Sequence, residues 1–502
     1  MMQTLLDFDL RVMAPELTIV VAAALLMILD LLLKETVSKK WMGIFGLMAI
    51  LAAGVFVGMG WGHEPYQILG DSYRIDHLSL TLKGILLAGT ALVFLFSFRK
   101  DEELKAESEY YSLLLTALLG AMIMVSSAEL ITLFVGLELL SLSSYILTGI
   151  RKKRTDATEA AWKYVVLGGV SSAFILYGMS FLYGLTGSTH LFEIRDRVAE
   201  VSATDYQLFL FLSFFLMMVG FGFKISSAPF HTWVPDVYQG SSTPVAVFLA
   251  VVSKTAAFAL VLRMLLGAYI PLVSNGVWNE VISWTLMIMA AASMIVGNTV
   301  ALRQTNAKRL MAYSSIANAG YLLVPPATMG FVGYDLFPSL VYYLIAYLFM
   351  TAGAFVVIEV VGKETGTYDL KAFSGLYQRS PGLAVIMTLF LLSLAGLPVT
   401  AGFVGKFYIL MSAVASSHNW LALIMIITTV ISYYYYFRIA RHIYFRRAGD
   451  DGKLNVPWTV MAVIGIGCLG TFLLGLMPDY FFQALGDLDW MSAFSQAANT
   501  SP

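Results

Sequence analysis

Gly220-Phe221-Gly222-Phe223-Lys224-Ile225-Ser226-Ser227-Ala228-Pro229-Phe230-His231-Thr232-Trp233-Val234-Pro235-Asp236-Val237-Tyr238 ends one long apolar run, Leu208 to Gly222, and precedes another that starts at Pro244. It places a lysine where the first run ends, a proline five residues on, then a histidine and an aspartate. Hydrocarbon tolerates a charge and a backbone break only where they face protein or water. The stretch therefore reads as a broken helix inside a membrane bundle. Glu138, Lys254 and Lys406 lie inside other apolar runs. Together with Lys224 they read as one pathway for protons.

The composition agrees. The 502 residues are 59% hydrophobic and 13% charged, against about a quarter charged in soluble domains. Apolar runs of about 20 residues recur, as membrane crossings require. The fold class is an all-α polytopic membrane protein, with residues 1–502 forming a single integral domain. About fourteen spans are expected: 14–34, 41–61, 78–98, 111–128, 129–149, 160–185, 207–230, 243–270, 277–301, 309–329, 335–362, 382–413, 419–440 and 457–478. Met1 to Arg11 lack a basic stretch ahead of a cleavage site, so the first span is expected to serve as the insertion signal.

Lysine and arginine set the orientation. With the N-terminus outside, the outer segments hold only Arg11, Arg74, Arg195 and Arg197, while clusters such as Arg151 to Arg154 and Arg438 to Arg447 fall inside. Both termini are expected outside. Tyr433 to Tyr436, one turn before Arg438, read as an interfacial belt.

Each buried charge has a bland reading beside the functional one. Glu138 heads a stripe with Ser141, Tyr145 and Thr148 on one helix face. A carboxylate at that depth costs about 3 kcal/mol on insertion scales and needs a cation or a proton; the alternative is a pin between two helices. Ser227 and His231 are expected on the face of Lys224, at i+3 and i+7, and Gly220 and Gly222 permit a neighbouring helix to approach closely. The alternative for Lys224 is an amine snorkelling to the interface. Lys254 is too deep to snorkel. Burial disfavours the charged form of an amine, and a group that is charged or neutral near pH 7 can carry a proton across a dry region. Lys406 follows Gly396, Pro398, Gly402 and Gly405, so the long twelfth span is expected to break as well. Gly220-Phe-x-x-Lys224 and Gly402-Phe-x-x-Lys406 share a spacing. With spans seven and twelve running in opposite directions, this suggests inverted repeats over 111–270 and 277–447, with broken helices in both. Lys83 is expected to snorkel, and Arg263 to be structural or interfacial.

Other chemistries are excluded or unsupported. The single cysteine, Cys468, supplies neither a disulfide nor a thiolate cluster. No two histidines lie at similar depth to ligate a haem. No dinucleotide or P-loop motif is present, and nothing points to nucleic acid.

Ala14-Pro15-Glu16-Leu17, Gly136-Leu137-Glu138-Leu139-Leu140-Ser141-Leu142-Ser143-Ser144-Tyr145, Lys224 to Val237, and Leu397 to Lys406 resemble the N-subunit family of bacterial proton-pumping NADH–quinone oxidoreductase, over essentially the whole chain. A lysine rather than a glutamate at 406 separates it from the related M subunits. The resemblance implies an acid–lysine pair of Glu138 and Lys224 on the input side, a central carrier at Lys254, an output residue at Lys406, and His231 along a water-filled axis. It implies no cofactor in this chain; NADH, FMN, iron–sulfur clusters and quinone would belong to partner subunits. The partners would be the M and L subunits and small membrane subunits in a bacterial plasma membrane. Multisubunit sodium/proton antiporters share the same motifs and form the alternative; a purely structural membrane subunit is a third.

Overall fold

The computed structural model describes residues 12–32, 40–61, 64–98, 107–273, 276–328, 336–447, 454 and 456–494. Met1 to Arg11, read for the insertion signal and the orientation, and the inner-side cations Lys34, Lys39, Arg99, Lys100, Lys105 and Lys453 lie outside the described residues. The chain is helical almost throughout. The first helices are α1 (Ala14–Leu32) and α2 (Lys40–Met59). A hairpin of β1 (Tyr66–Ile68) and β2 (Tyr73–Ile75) follows, then α3 (His77–Ser97), α4 (Glu107–Ser126), α5 (Leu130–Thr148), α6 (Thr155–Thr186) and the short α7 (Leu191–Val201). Next come α8 (Gln207–Ile225), α9 (Val234–Gly240), α10 (Thr243–Phe248), a π-helical turn over Leu249–Ser253, α11 (Lys254–Gly267), α12 (Ile270–Val273), α13 (Gly276–Ala301) and α14 (Ala307–Ala327). The last part holds α15 (Leu336–Thr365), α16 (Leu376–Arg379), α17 (Pro381–Ala395), α18 (Ala401–Ala415), α19 (Asn419–Phe445), α20 (Trp458–Leu476) and α21 (Pro478–Gly486).

Among the described residues, 12 helices are long and apolar enough to cross a membrane. Two of the expected spans take another form. The span expected at 309–329 is α14, a full-length helix that carries Lys308, Arg309, Ser314, Ser315 and Asn318 and is too polar for that class. The span expected at 382–413 is the pair α17 and α18, each 15 residues long and short of a full crossing. The polar helix is stable because protein surrounds it: nearly every residue of α14 is buried. The same is true of α10–α11 and α15, so these elements form the core of the bundle, while α1, α6, α19 and α20 present apolar side chains outward.

Both helix breaks are built alike. α8 stops at Ile225, where Ser226 adopts a left-handed conformation and Ser227 N–H donates to the Gly222 carbonyl at 2.8 Å. α17 stops at Ala395, where Gly396 is left-handed and Leu397 N–H donates to Leu392 at 3.0 Å. Each closure satisfies carbonyls that the helix end would leave bare. Gly402 lets α18 start directly against α17: a side-chain carbon there would collide with the Ser393 carbonyl, and the Gly402 N–H donates to Ser393 Oγ at 3.1 Å.

A set of buried charges closes one end of the bundle. Asp76 caps α3 through a reciprocal box with Ser79. It also bridges Arg74 at 3.3 Å and Arg263 at 2.7 Å, all three side chains being buried. The same arginines, with Arg195, donate to backbone carbonyls of the C-terminal segment: Arg74 to Ser492, Arg263 to Ala493 at 3.3 Å and Arg195 to Phe494 at 2.5 Å. Arg263 is thus structural. Lys83 does not snorkel. It is buried, pairs with Glu16 at 2.8 Å and donates to the Tyr73 hydroxyl at 2.8 Å, joining α1 to α3.

Candidate functional site

The stripe expected on α5 receives Lys224. Its Nζ donates to Ser141 Oγ at 2.7 Å and lies 3.4 Å from the Tyr145 hydroxyl. Glu138 stands one turn before Ser141 on the same helix, half-buried, with one carboxylate oxygen buried and without a hydrogen-bond partner. Among the described residues Glu138 and Lys224 make no direct ion pair; Lys224 meets α5 through Ser141 and Tyr145. Gly220, on α8, explains how α6 comes so near, because a side chain there would strike Ile175 and the Ser171 backbone. Around Lys224 the rings of Tyr145, Tyr164, Phe223 and Trp233 form one packed cluster, with Tyr164 stacked on Trp233 at 4.5 Å.

The shared face of Lys224, Ser227 and His231 does not form, because the helix ends at Ile225 and these residues no longer follow one helical repeat. His231 lies in the connection between α8 and α9, half-buried, with Nδ1 buried and unpartnered. It makes no hydrogen bond to any of the three lysines.

Lys254 opens α11 directly after the π-helical turn. Its Nζ donates to both the carbonyl and the hydroxyl of Ser315 at 2.6 Å each, and it lies 5.6 Å from the centre of the Tyr347 ring. Lys406 sits in the second turn of α18. Its ammonium donates to the Leu394 carbonyl at 2.7 Å and the Ala395 carbonyl at 3.3 Å, the bare C-terminal end of α17. A helix C-terminus carries partial negative charge, so the break itself makes a cation site. Lys224 precedes its break and Lys406 follows its own, so the shared Gly-Phe-x-x-Lys spacing does not mark equivalent places in the two broken helices.

The link between Lys254 and Lys406 comes from α14, which the charge pattern alone did not single out. Ser315 holds Lys254. One turn on, Asn318 donates to the Ser314 carbonyl at 2.9 Å and accepts from the Tyr343 hydroxyl at 2.5 Å. One further turn places the Tyr321 ring 4.8 Å from Lys406 Nζ. Ser314, Asn318 and Tyr321 stand at i, i+4 and i+7 and share a helix face, with Ser315 beside it, so polar groups run along one side of α14. The nearest signal in the sequence was negative: 309–329 is the least apolar of the expected spans.

The tyrosine belt is half inverted. Tyr434 is exposed, but Tyr435 and Tyr436 turn into the bundle and are buried. Tyr435 donates to Asn298 at 3.0 Å, and Tyr436 shares a 2.5 Å hydrogen bond with Ser314. They belong to the polar row. Among the described residues no side-chain hydrogen bond leads from Lys224 to Lys254.

At the arginine- and lysine-rich end, Asp236 on α9 binds Lys163 at 2.7 Å and Arg309 at 2.6 Å. Burial raises its carboxyl, but those two cations outweigh it and hold the group below the usual carboxylate range. Lys163 is therefore an ion-pair partner, also of Glu159 at 2.7 Å, rather than a free interfacial anchor.

Lys254 and Lys406 rest on neutral oxygens only, with no carboxylate in ion-pair reach among the described residues. A structural ammonium at such depth would need a countercharge. Amines held by hydroxyl and carbonyl oxygens can instead give up a proton without stranding an opposite charge.

The family described as NADH:quinone oxidoreductase/Mrp antiporter, transmembrane, matches residues 127–432. The chain is 48% identical to NADH-quinone oxidoreductase subunit N of Brevibacillus brevis, over 94% of this chain and 95% of that protein. It superposes on a chain of respiratory complex I from Thermus thermophilus with bound aureothin, with a TM-score of 0.78 and 31% identity, covering 94% of this chain and 99% of the other. It shares its fold with a chain of the Mrp complex from Dietzia sp. DQ12-45-1b, with a TM-score of 0.77 and 18% identity over 98% of both.

Proposed function

We propose, on the premise that this chain belongs to the NADH:quinone oxidoreductase/Mrp antiporter transmembrane family and within it to the N subunits of NADH–quinone oxidoreductase, that Glu138, Lys224, Lys254 and Lys406 form its proton relay. The chain is a proton-translocating membrane subunit of that enzyme and assembles with other membrane subunits. NADH, FMN, the iron–sulfur clusters and quinone belong to partner subunits, which supply the redox energy. Both termini lie on the outer face of a bacterial plasma membrane, and residues 111–270 and 277–447 are the two inverted repeats.

The observation that carries the reading is that the polar helix α14 meets both lysines, Lys254 through Ser315 and Lys406 through the Tyr321 ring, with Asn318 between. In the relay, an ionised Glu138 favours the charged form of Lys224, with Ser141 holding the ammonium in place. When the influence of Glu138 is withdrawn, Lys224 becomes the better donor toward Lys254, with water and His231 completing a gap that no side-chain hydrogen bond crosses. Charge on Lys254 then disfavours charge on Lys406, and a proton leaves outward along α18. Lys406 returns to the neutral amine, held by the carbonyl end of α17.

The test is a pair of variants in the whole enzyme. Glu138→Gln keeps the shape of the side chain and removes its charge; it weakens the coupling of NADH oxidation to proton pumping in reconstituted vesicles. Glu138→Asp retains the charge one methylene back and preserves part of the coupling. Full coupling in the Gln variant contradicts the charge switch.

A further inference from the structure

Glu359 is a buried carboxylate that the relay above does not use. It lies near the end of α15 and accepts from the Thr243 hydroxyl at the start of α10 and from the Tyr368 hydroxyl at 2.8 Å. Lys363, partly exposed one turn on, pairs with it at 3.3 Å. Lys308, buried at the start of α14, acts on it through space while donating to the Ser241 carbonyl at 2.8 Å. Arg151, Arg154 and Asp156, on the α5–α6 connection and the start of α6, act in turn on Lys308. This group stands at the cation-rich end of the bundle, the inner end in the proposed orientation.

From Glu359 the residues at four-residue spacing along α15 are Phe355, Thr351 and Tyr347. They form one ridge of i±4 neighbours, which winds about 120° around the helix over its length, and its far end is the ring beside Lys254. The ridge spans about 18 Å at 1.5 Å per residue. Near the Glu359 end Ser241 Oγ and Ser242 Oγ, beside Lys308 and Thr243, are buried with no partner, and Thr351 stands on the ridge one turn from Tyr347, with whose hydroxyl it interacts. Leaving such groups dry is unfavourable, so bound water is the ordinary explanation. The Tyr238 hydroxyl approaches Ser315 Oγ, the ligand of Lys254, at 3.4 Å. Phe355 is the one apolar member of the row and meets Tyr238 edge-on at 6.1 Å.

We infer that Glu359 takes up protons from the inner solution and passes them along this ridge of α15 to Lys254, by a route separate from Glu138 and Lys224. This rests on Lys254 being the central carrier. The carboxylate accepts a proton from solvent beside Lys363. The acid O–H then breaks as water relays the proton, an N–H forms on neutral Lys254, and Glu359 returns to the carboxylate. Phe355 interrupts the row and holds back leakage until water bridges it. If Glu359 only balanced Lys308 and Lys363, nothing would require the unpartnered hydroxyls at its end of the ridge or the hydroxyl of Thr351 along it.

The test uses the whole enzyme in vesicles, with NADH-driven pumping followed against pH on the inner-face side for Glu359→Gln, Glu359→Asp, Tyr368→Phe and, as control, Lys254→Met. Glu359→Gln is expected to slow pumping about tenfold at the alkaline end, the change in occupancy that one pH unit gives a titrating donor, and less at the acid end; Glu359→Asp restores part of it. Tyr368→Phe removes a donor to the carboxylate and moves the midpoint of the pH profile upward. Wild-type pumping and an unshifted profile in Glu359→Gln, with Lys254→Met blocked, overturn the Glu359 route and leave the relay standing. Normal pumping in Lys254→Met removes the relay itself. If Glu359→Gln does not assemble, the Tyr368→Phe profile decides, and an unchanged midpoint overturns the route.

Discussion

Enzyme carrying Lys254→Met assembles and loses pumping-linked activity. Met matches the unbranched lysine stem in length and removes only the amine. The partners left behind tolerate this. The Ser315 carbonyl lies within α14, where the helix supplies its own donor, and the Ser315 hydroxyl retains the neighbouring Tyr238 hydroxyl. The surroundings of the side chain are apolar and fully buried, so replacing a buried amine with a thioether costs little in stability and can gain some. The proposed proton path, by contrast, loses the amine where the α15 row meets α14. The ratio of protons pumped to electrons transferred in reconstituted vesicles measures this. A wild-type ratio would mean that protons pass Lys254 by, and the assigned role would be withdrawn.

Asp76→Ala is expected to keep the chain from reaching its folded, assembled form. Asp76 is the carboxylate that buried Arg74 and buried Arg263 share, and its backbone starts α3. Breaking a buried pair by removing one partner costs about 3–5 kcal/mol, because the other charge stays in place without compensation. Here two guanidinium groups are left, and the capping hydrogen bond to Ser79 goes with them, worth about 1 kcal/mol more. The C-terminal segment is held by the same arginines, so the damage reaches residues 492 and 493. Subunit content in membranes and thermal unfolding in detergent both report the loss. The double variant Asp76→Ala with Arg263→Met should recover part of it, since one uncompensated charge is removed. A single variant that assembles at normal level with unchanged thermal stability would show that these charges are solvated rather than interlocked.

The residues of the proposed relay stood out in the chain for one reason. A charge inside twenty apolar residues is expensive, and hydropathy exposes it whatever the partner. The two breaks were equally visible, since Pro229 and the Gly396–Gly402 stretch cannot continue a helix. Less visible was where a break falls: α8 ends at the left-handed Ser226, before the proline, and this removes His231 from the face of Lys224. Lys83 was misread as snorkelling because Glu16 lies in a different helix, far away along the chain. Glu359 escaped notice inside an apolar span for the same reason, its partners Thr243 and Tyr368 lying on other elements.

By itself, then, the amino-acid order determined that this is a helical membrane bundle and which charges lie inside its apolar runs. These follow from the solvent, since hydrocarbon penalises every unpaired charge and unbonded peptide group locally, residue by residue. Only the tertiary structure decided what those charges touch. That α14 could be polar, that Tyr435 and Tyr436 turn inward, and that Lys254 and Lys406 rest on carbonyls and a hydroxyl rather than on carboxylates all depend on contacts between helices. A one-dimensional pattern records the cost of burying a polar group, whereas the group that offsets that cost is fixed by packing across the bundle.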